Sequence, residues 1–167
     1  LEDCVRTGET GARHVFGAED WMVRYERDPA LLADYAAGLA GSATRAARAV
    51  AAAYDFGSAR HVVDVGGGRG QMLAAILAAH PHLSGTLFDR REVVAGAPAL
   101  LQEAGVAARC RLVGGDMFAA IPEGGDTLVL SRVVHDWNDA DSVALLERCR
   151  AALAEGGRLL LVERLPE

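Results

Sequence analysis

The sequence is 167 residues long, 51% hydrophobic, and carries 23 acidic against 17 basic residues, a formal net charge of −6. That length and apolar content suffice for one α/β domain with a real core. The acidic balance without any basic cluster argues against nucleic acid as the main partner, and no apolar run is long enough to cross a bilayer. The three cysteines, Cys4, Cys110 and Cys149, lie far apart without paired spacing. They point to reduced thiols in a cytoplasmic protein, not to a disulfide frame or a zinc site.

Taken in order, residues Leu1 to Ala18 are polar and glycine-punctuated and read as an extended lead-in. From Glu19 to Ala40 apolar residues (Trp21, Met22, Tyr25, Leu31, Leu32, Tyr35, Leu39) recur at helical spacing, interrupted at Pro29. The residue before a proline is pushed out of helical geometry, so two short helices are expected. Ser42 or Thr44 is placed to cap an alanine-rich helix to about Tyr54, and Asp55-Phe56-Gly57-Ser58 forms a turn. Residues 1–57 are thus a helical lead-in, and 58–167 a separate core.

From there short apolar runs alternate with helical patterns. Strands are predicted at 61–65, 84–88, 109–113, 126–131 and 158–163. Helices are predicted at 69–79, ended by Pro81, at 92–104, closed by Gly105, and at 139–154, capped by Asp139 and ended by Gly156-Gly157. That alternation gives an α/β fold, a Rossmann-like doubly wound parallel sheet with right-handed crossovers. Ligands bind such sheets beyond the carboxyl ends of the strands.

The first strand, Val62-Val63-Asp64-Val65, breaks into Gly66-Gly67-Gly68-Arg69-Gly70. Glycines at 66, 68 and 70 allow positive φ and bring bare backbone to a ligand, with unpaired N–H groups of the next helix behind them. A dinucleotide fingerprint needs its third glycine at position 71, which is Gln71. By itself the turn serves a nucleotide-type site or a plain strand-to-helix connection. The second strand ends at Asp89, 19 residues beyond Gly70, where an acid can take both ribose hydroxyls or merely face solvent. The third runs into Asp116-Met117-Phe118: a carboxylate for an exocyclic amine and soft groups for a ring, although both apolar side chains also suit the core. The fourth runs into Ser131-Arg132-Val133-Val134-His135-Asp136-Trp137, which sets His135 just past a strand's carboxyl end.

The pattern Asp-x-Gly-x-Gly-x-Gly over 64–70 resembles motif I of class I S-adenosylmethionine-dependent methyltransferases. Together with Gly115-Asp116-Met117-Phe118 and His135-Asp136-Trp137, it resembles the O-methyltransferases of the caffeic-acid and hydroxyindole type, including bacterial small-molecule members. The resemblance covers nearly the whole chain.

It implies S-adenosylmethionine as cofactor, seated by Asp64, Gly66, Gly68, Gly70, Asp89, Asp116, Met117 and Ser131. Ser131 stands where plant members carry a lysine. It implies His135 as general base toward a hydroxyl of a small aromatic or polyketide-type acceptor, a task suited to an imidazole, which titrates near neutrality. In plant members a glutamate 28 residues after that histidine orients it; here residue 163 is glutamate, and 163 − 135 = 28. The family needs no metal, and no ligand cluster for one is seen. Its members run to roughly twice this length, with an amino-terminal winged-helix region that dimerises and two further strands. The chain therefore reads as a fragment of a homodimer, its sheet incomplete at the C-terminus. After the second strand the family has Asp-Leu-Pro, whereas this chain has Asp89-Arg90-Arg91. Two rivals remain: a nucleotide-dependent oxidoreductase, against which the early third glycine and His135-Asp136-Trp137 both count, and a methyltransferase-like binding module or inactive piece without turnover.

Overall fold

The computed structural model describes residues 2–7 and 43–164. The chain divides into two compact units, Leu1–Ser42 and Ala43–Glu167. In the first, α1 (Glu2–Thr7) is helical where the sequence suggests an extended lead-in. Its two acids lie in the first turn and Arg6 in the last, paired with Asp3, an arrangement that suits the helix dipole. The helices expected between 19 and 40, with their break at Pro29, lie outside the described residues.

The second unit opens with helical residues 43–53 (α2). Ala47, Ala51 and Phe56 are buried in one cluster with Leu73, Leu77 and Leu87, so residues 43–57 pack as part of the core unit. The elements that follow are β1 (His61–Val65), α3 (Gln71–Ala79), β2 (Ser84–Asp89), α4 (Arg91–Val94), α5 (Pro98–Glu103), β3 (Cys110–Gly114), β4 (Gly125–Ser131), α6 (Asp139–Ala152) and β5 (Leu153–Val162). The sheet order is β3-β2-β1-β4-β5 and every pairing is parallel.

The strands read as nearly continuous apolar runs because both sheet faces are covered. Val62 and Val129 face one cluster, with Leu73, Ile76 and Leu77 of α3. Val63, Val65, Leu128 and Leu130 face the other, with Leu145 and Cys149 of α6. Full burial of each such aliphatic side chain contributes about 1.5–3 kcal/mol. Arg109 ties the far end of α3 to the sheet, donating to the carbonyls of Leu77 at 2.7 Å and Leu83 at 2.6 Å.

Beyond shifts of one or two residues at element ends, the structure departs from the sequence expectation in three places. The helix expected over 92–104 is two, α4 and α5, because Pro98 lacks an N–H and begins a new first turn. The cap of α6 is Asn138, whose side chain accepts the Asp141 N–H, not Asp139. That helix ends at Ala152, before the Gly156-Gly157 pair, and β5 starts at once: Leu153 pairs with Gly125, then the register slips so that Arg158 pairs with Thr127.

Candidate active site

β1 lies between β2 and β4, so the chain reverses its direction of winding at β1, and in sheets of this kind the crevice that takes a ligand lies there, beyond the carboxyl ends. The register places Val65 opposite Phe88 and Leu130, and Ser131 opposite Val162. Gly66, Asp89, Ser131 and Val162 consequently stand at one level on the rim, with Glu163 one residue beyond it.

The glycine turn is tied down from within. Gly66 and Gly67 donate to the Phe88 carbonyl at 2.8 and 3.3 Å, and Gly70 donates to the Gly67 carbonyl at 2.9 Å. Gly68 donates to Asp89 Oδ2 at 2.8 Å. The N–H groups of the turn itself are thus taken up by β2 and by the turn. What the turn presents is a bare Cα at Gly68, where φ is +61° and a Cβ would meet nothing within 4 Å. Gly66, at φ +67°, is filled differently: a Cβ there would lie 2.8 Å from Val133 Cγ2.

Asp64 sits behind the turn. It is wholly buried, Oδ2 accepts the Leu73 N–H at 3.2 Å, and Oδ1 has no partner. Burial pushes its carboxyl up to about 7, against the hydrogen bond from Leu73, with the Asp89 charge adding to the rise. With no exposed surface it supports the turn and the start of α3 and offers no atom to a ligand.

Beyond β3, Asp116 is exposed and its Oδ1 accepts the Phe118 N–H at 2.8 Å. Met117 is half-buried against the second cluster. Phe118 meets Trp137 edge-on, ring centroids 4.6 Å apart, so Trp137 is held by packing although 38% of its surface remains exposed.

His135 lies on a single 3-10 turn, Val134–Asp136, just after β4. Its Nδ1 is 2.6 Å from Glu163 Oε2, and Nε2 is 3.5 Å from Asp136 Oδ1. Glu163 follows β5 directly. Its Oε1 accepts the N–H groups of Val133 and Val134, each at 3.0 Å. Burial alone would raise the Glu163 carboxyl, but the hydrogen bond and charge of His135 and the two backbone donors outweigh it and hold the carboxyl below its ordinary range. With Glu163 ionised, Nδ1–H donates to it and Nε2 keeps its lone pair. The imidazole is half exposed, so that lone pair is reachable. Sequence reasoning missed two participants, Arg132 at φ +58° and Val133. Nothing in residue type singles them out beyond their place before His135.

Fold and side chains define a doubly wound α/β domain whose switch-point crevice carries a glycine turn, an acid and a histidine–carboxylate pair. The chain belongs to the O-methyltransferase domain family, whose model matches residues 1–167. It is 40% identical over 99% of its length to a mitomycin biosynthesis 6-O-methyltransferase of Streptomyces lavendulae, covering 47% of that protein. It is 39% identical over 98% of its length to aclacinomycin 10-hydroxylase RdmB of Streptomyces purpurascens, covering 44% of it. Among solved structures it resembles the neocarzinostatin-biosynthesis O-methyltransferase NcsB1, in complex with S-adenosylmethionine and 2-hydroxy-5-methyl naphthoic acid. The TM-score is 0.85 at 35% identity, over 97% of this chain and 50% of that one. The chain spans about half the length of the curated relatives it matches.

Proposed function

We propose that the protein methylates a hydroxyl of a small aromatic or polyketide-type metabolite with S-adenosylmethionine as donor and His135 as general base. The observation that carries this reading is the 2.6 Å contact between His135 Nδ1 and Glu163 Oε2. A carboxylate on Nδ1 fixes the tautomer whose Nε2 can take a proton, and family membership and the S-adenosylmethionine complex of NcsB1 support the donor.

The residues present fit that cofactor. Gly68 leaves open space where a side chain would stand, and Asp89, with one backbone N–H on each oxygen, keeps lone pairs for ribose hydroxyls. Asp116 and the Phe118–Trp137 pair offer a carboxylate and ring faces toward the adenine end. Bound S-adenosylmethionine supplies an activated methyl group on a sulfonium.

His135 supplies the rest: Nε2 takes the proton of the acceptor hydroxyl, leaving the oxygen nucleophilic, and the resulting imidazolium lies between Glu163 and Asp136. Positioned proton transfer of this kind contributes about 10²–10⁴-fold.

A second reading has its own observation, the 39% identity to a hydroxylase: the same fold serves a reaction other than methyl transfer. Incubation of the whole protein with methyl-labelled S-adenosylmethionine and a panel of phenols separates the two. Label is expected in the phenol product. It is expected to vanish in His135→Ala, with S-adenosylhomocysteine affinity within about threefold of wild type, since the base role touches proton transfer and not cofactor binding. Cofactor binding without label transfer to any acceptor overturns the proposal.

A further inference from the structure

One buried side chain stands between the glycine turn and the base. Arg132, the first residue past β4, has φ +58°, and among the described residues it is the one non-glycine residue at positive φ. Its N–H donates to the Val162 carbonyl at 3.0 Å. L side chains avoid that backbone region, and it persists where neighbours over-determine it.

The turn so made directs Val133, 5% exposed, against Gly66. A Cβ on Gly66 would come to 2.8 Å from Val133 Cγ2, closer than two carbons pack, so Val133 fills the space that residue 66 leaves empty. The same residue's main chain serves the base: the N–H groups of Val133 and Val134 hold Glu163 Oε1, while Oε2 holds His135. Val133 thus meets the cofactor turn with its side chain and the orienting carboxylate with its backbone.

We infer that Val133 is a positioning residue that sets the His135–Glu163 pair at a fixed distance from the glycine turn, coupling occupancy of the crevice to the imidazole. This deepens the methyl-transfer reading and rests on it. A merely structural valine in the same place would affect melting and nothing at the ring.

The test uses the whole protein with ¹⁵N-labelled histidine and S-adenosylhomocysteine as the probe. The ring signals assigned to His135, those lost in His135→Ala, are expected to shift on saturation in wild type. In Val133→Ala, at equal saturation measured by calorimetry, the shift is expected to fall to less than about half, while the isosteric Val133→Thr keeps it, because packed contacts carry such coupling. Gly66→Ala disturbs the contact from the other side, is expected to weaken the shift likewise, and serves if Val133→Ala does not fold. An undiminished shift in Val133→Ala, or in Gly66→Ala where that variant stands in, overturns the inference alone. Absence of S-adenosylhomocysteine binding by wild type overturns the cofactor reading and this inference with it.

Discussion

Asp89 holds Gly68: its Oδ2 accepts that residue's N–H at 2.8 Å, while its Oδ1 accepts the Arg90 N–H at 2.7 Å. One carboxylate at the end of β2 therefore clamps the apex of the turn that follows β1. A residue proposed to receive ribose hydroxyls is already fixed in place by the backbone it faces.

Asp89→Ala removes both roles. Affinity for S-adenosylhomocysteine, read by calorimetry, is expected to drop by about 1–3 kcal/mol, the cost of leaving partnered polar groups unpaired. Unchanged affinity would remove Asp89 from the site.

Glu163→Gln tests the tautomer. The amide oxygen can still accept from Val133 and Val134, but the amide nitrogen then donates to Nδ1, which forces the proton of a neutral imidazole onto Nε2 and takes away the base. A fall in kcat of about 10²–10⁴-fold is expected, with S-adenosylhomocysteine affinity retained. Because the wild-type carboxyl is held below its ordinary 4.5, its contribution to stability is complete above that value and lost as pH falls through the depressed one. The stabilities of the two proteins should differ by a constant amount above that range and converge as pH falls through it.

Asp64 gives the opposite sign. Its carboxyl rises from 3.8 to about 7 in the folded chain, so its contribution is full below 3.8 and is lost as pH climbs through about 7. Denaturant titrations should show Asp64→Asn gaining on wild type between pH 4 and 8, by on the order of a few kcal/mol. A gap independent of pH would mean that the buried oxygen has a partner.

His61 supplies a third pH signature. Its ring bridges the hydroxyls of Ser84, at 2.8 Å, and Thr86, at 2.9 Å. Burial lowers its pKa, opposed by Asp126 and assisted by Arg111. A depressed folded value means stability present above the ordinary 6.5 and lost as pH falls through the lower one. Removing the ring with His61→Gln is expected to flatten the decline seen in wild type between neutral and mildly acidic pH. An equally steep decline in the variant would count against this assignment.

Strand positions and the rim were readable because apolar runs bounded by glycine have few alternatives in a parallel sheet. Val63 and Val65 of one apolar run lie opposite Leu128 and Leu130 of the other. The 28-residue spacing of His135 and Glu163 becomes a 2.6 Å contact since both follow adjacent parallel strands, β4 and β5, whose ends the register levels. What escaped the sequence depended on who bonds whom. Asn138 and Asp139 are both good caps, and only the Asp141 N–H chooses between them. Pro98 divides the 92–104 stretch into two helices, a break that apolar spacing does not mark. The backbone donors of the glycine turn look free in one dimension, and their partners, Phe88 and Asp89, arrive only when β2 lies alongside. The buried place of Asp64 follows from the same packing.

The bonded glycine turn bears on how a guest is received. A loop whose N–H groups at 66, 67, 68 and 70 are occupied beforehand surrenders little motion on association, so most of the ordering entropy falls on the guest's own rotatable bonds. Analogues stiffened along the aminoacyl chain should therefore gain more in affinity than those given extra hydrogen-bonding groups aimed at the loop.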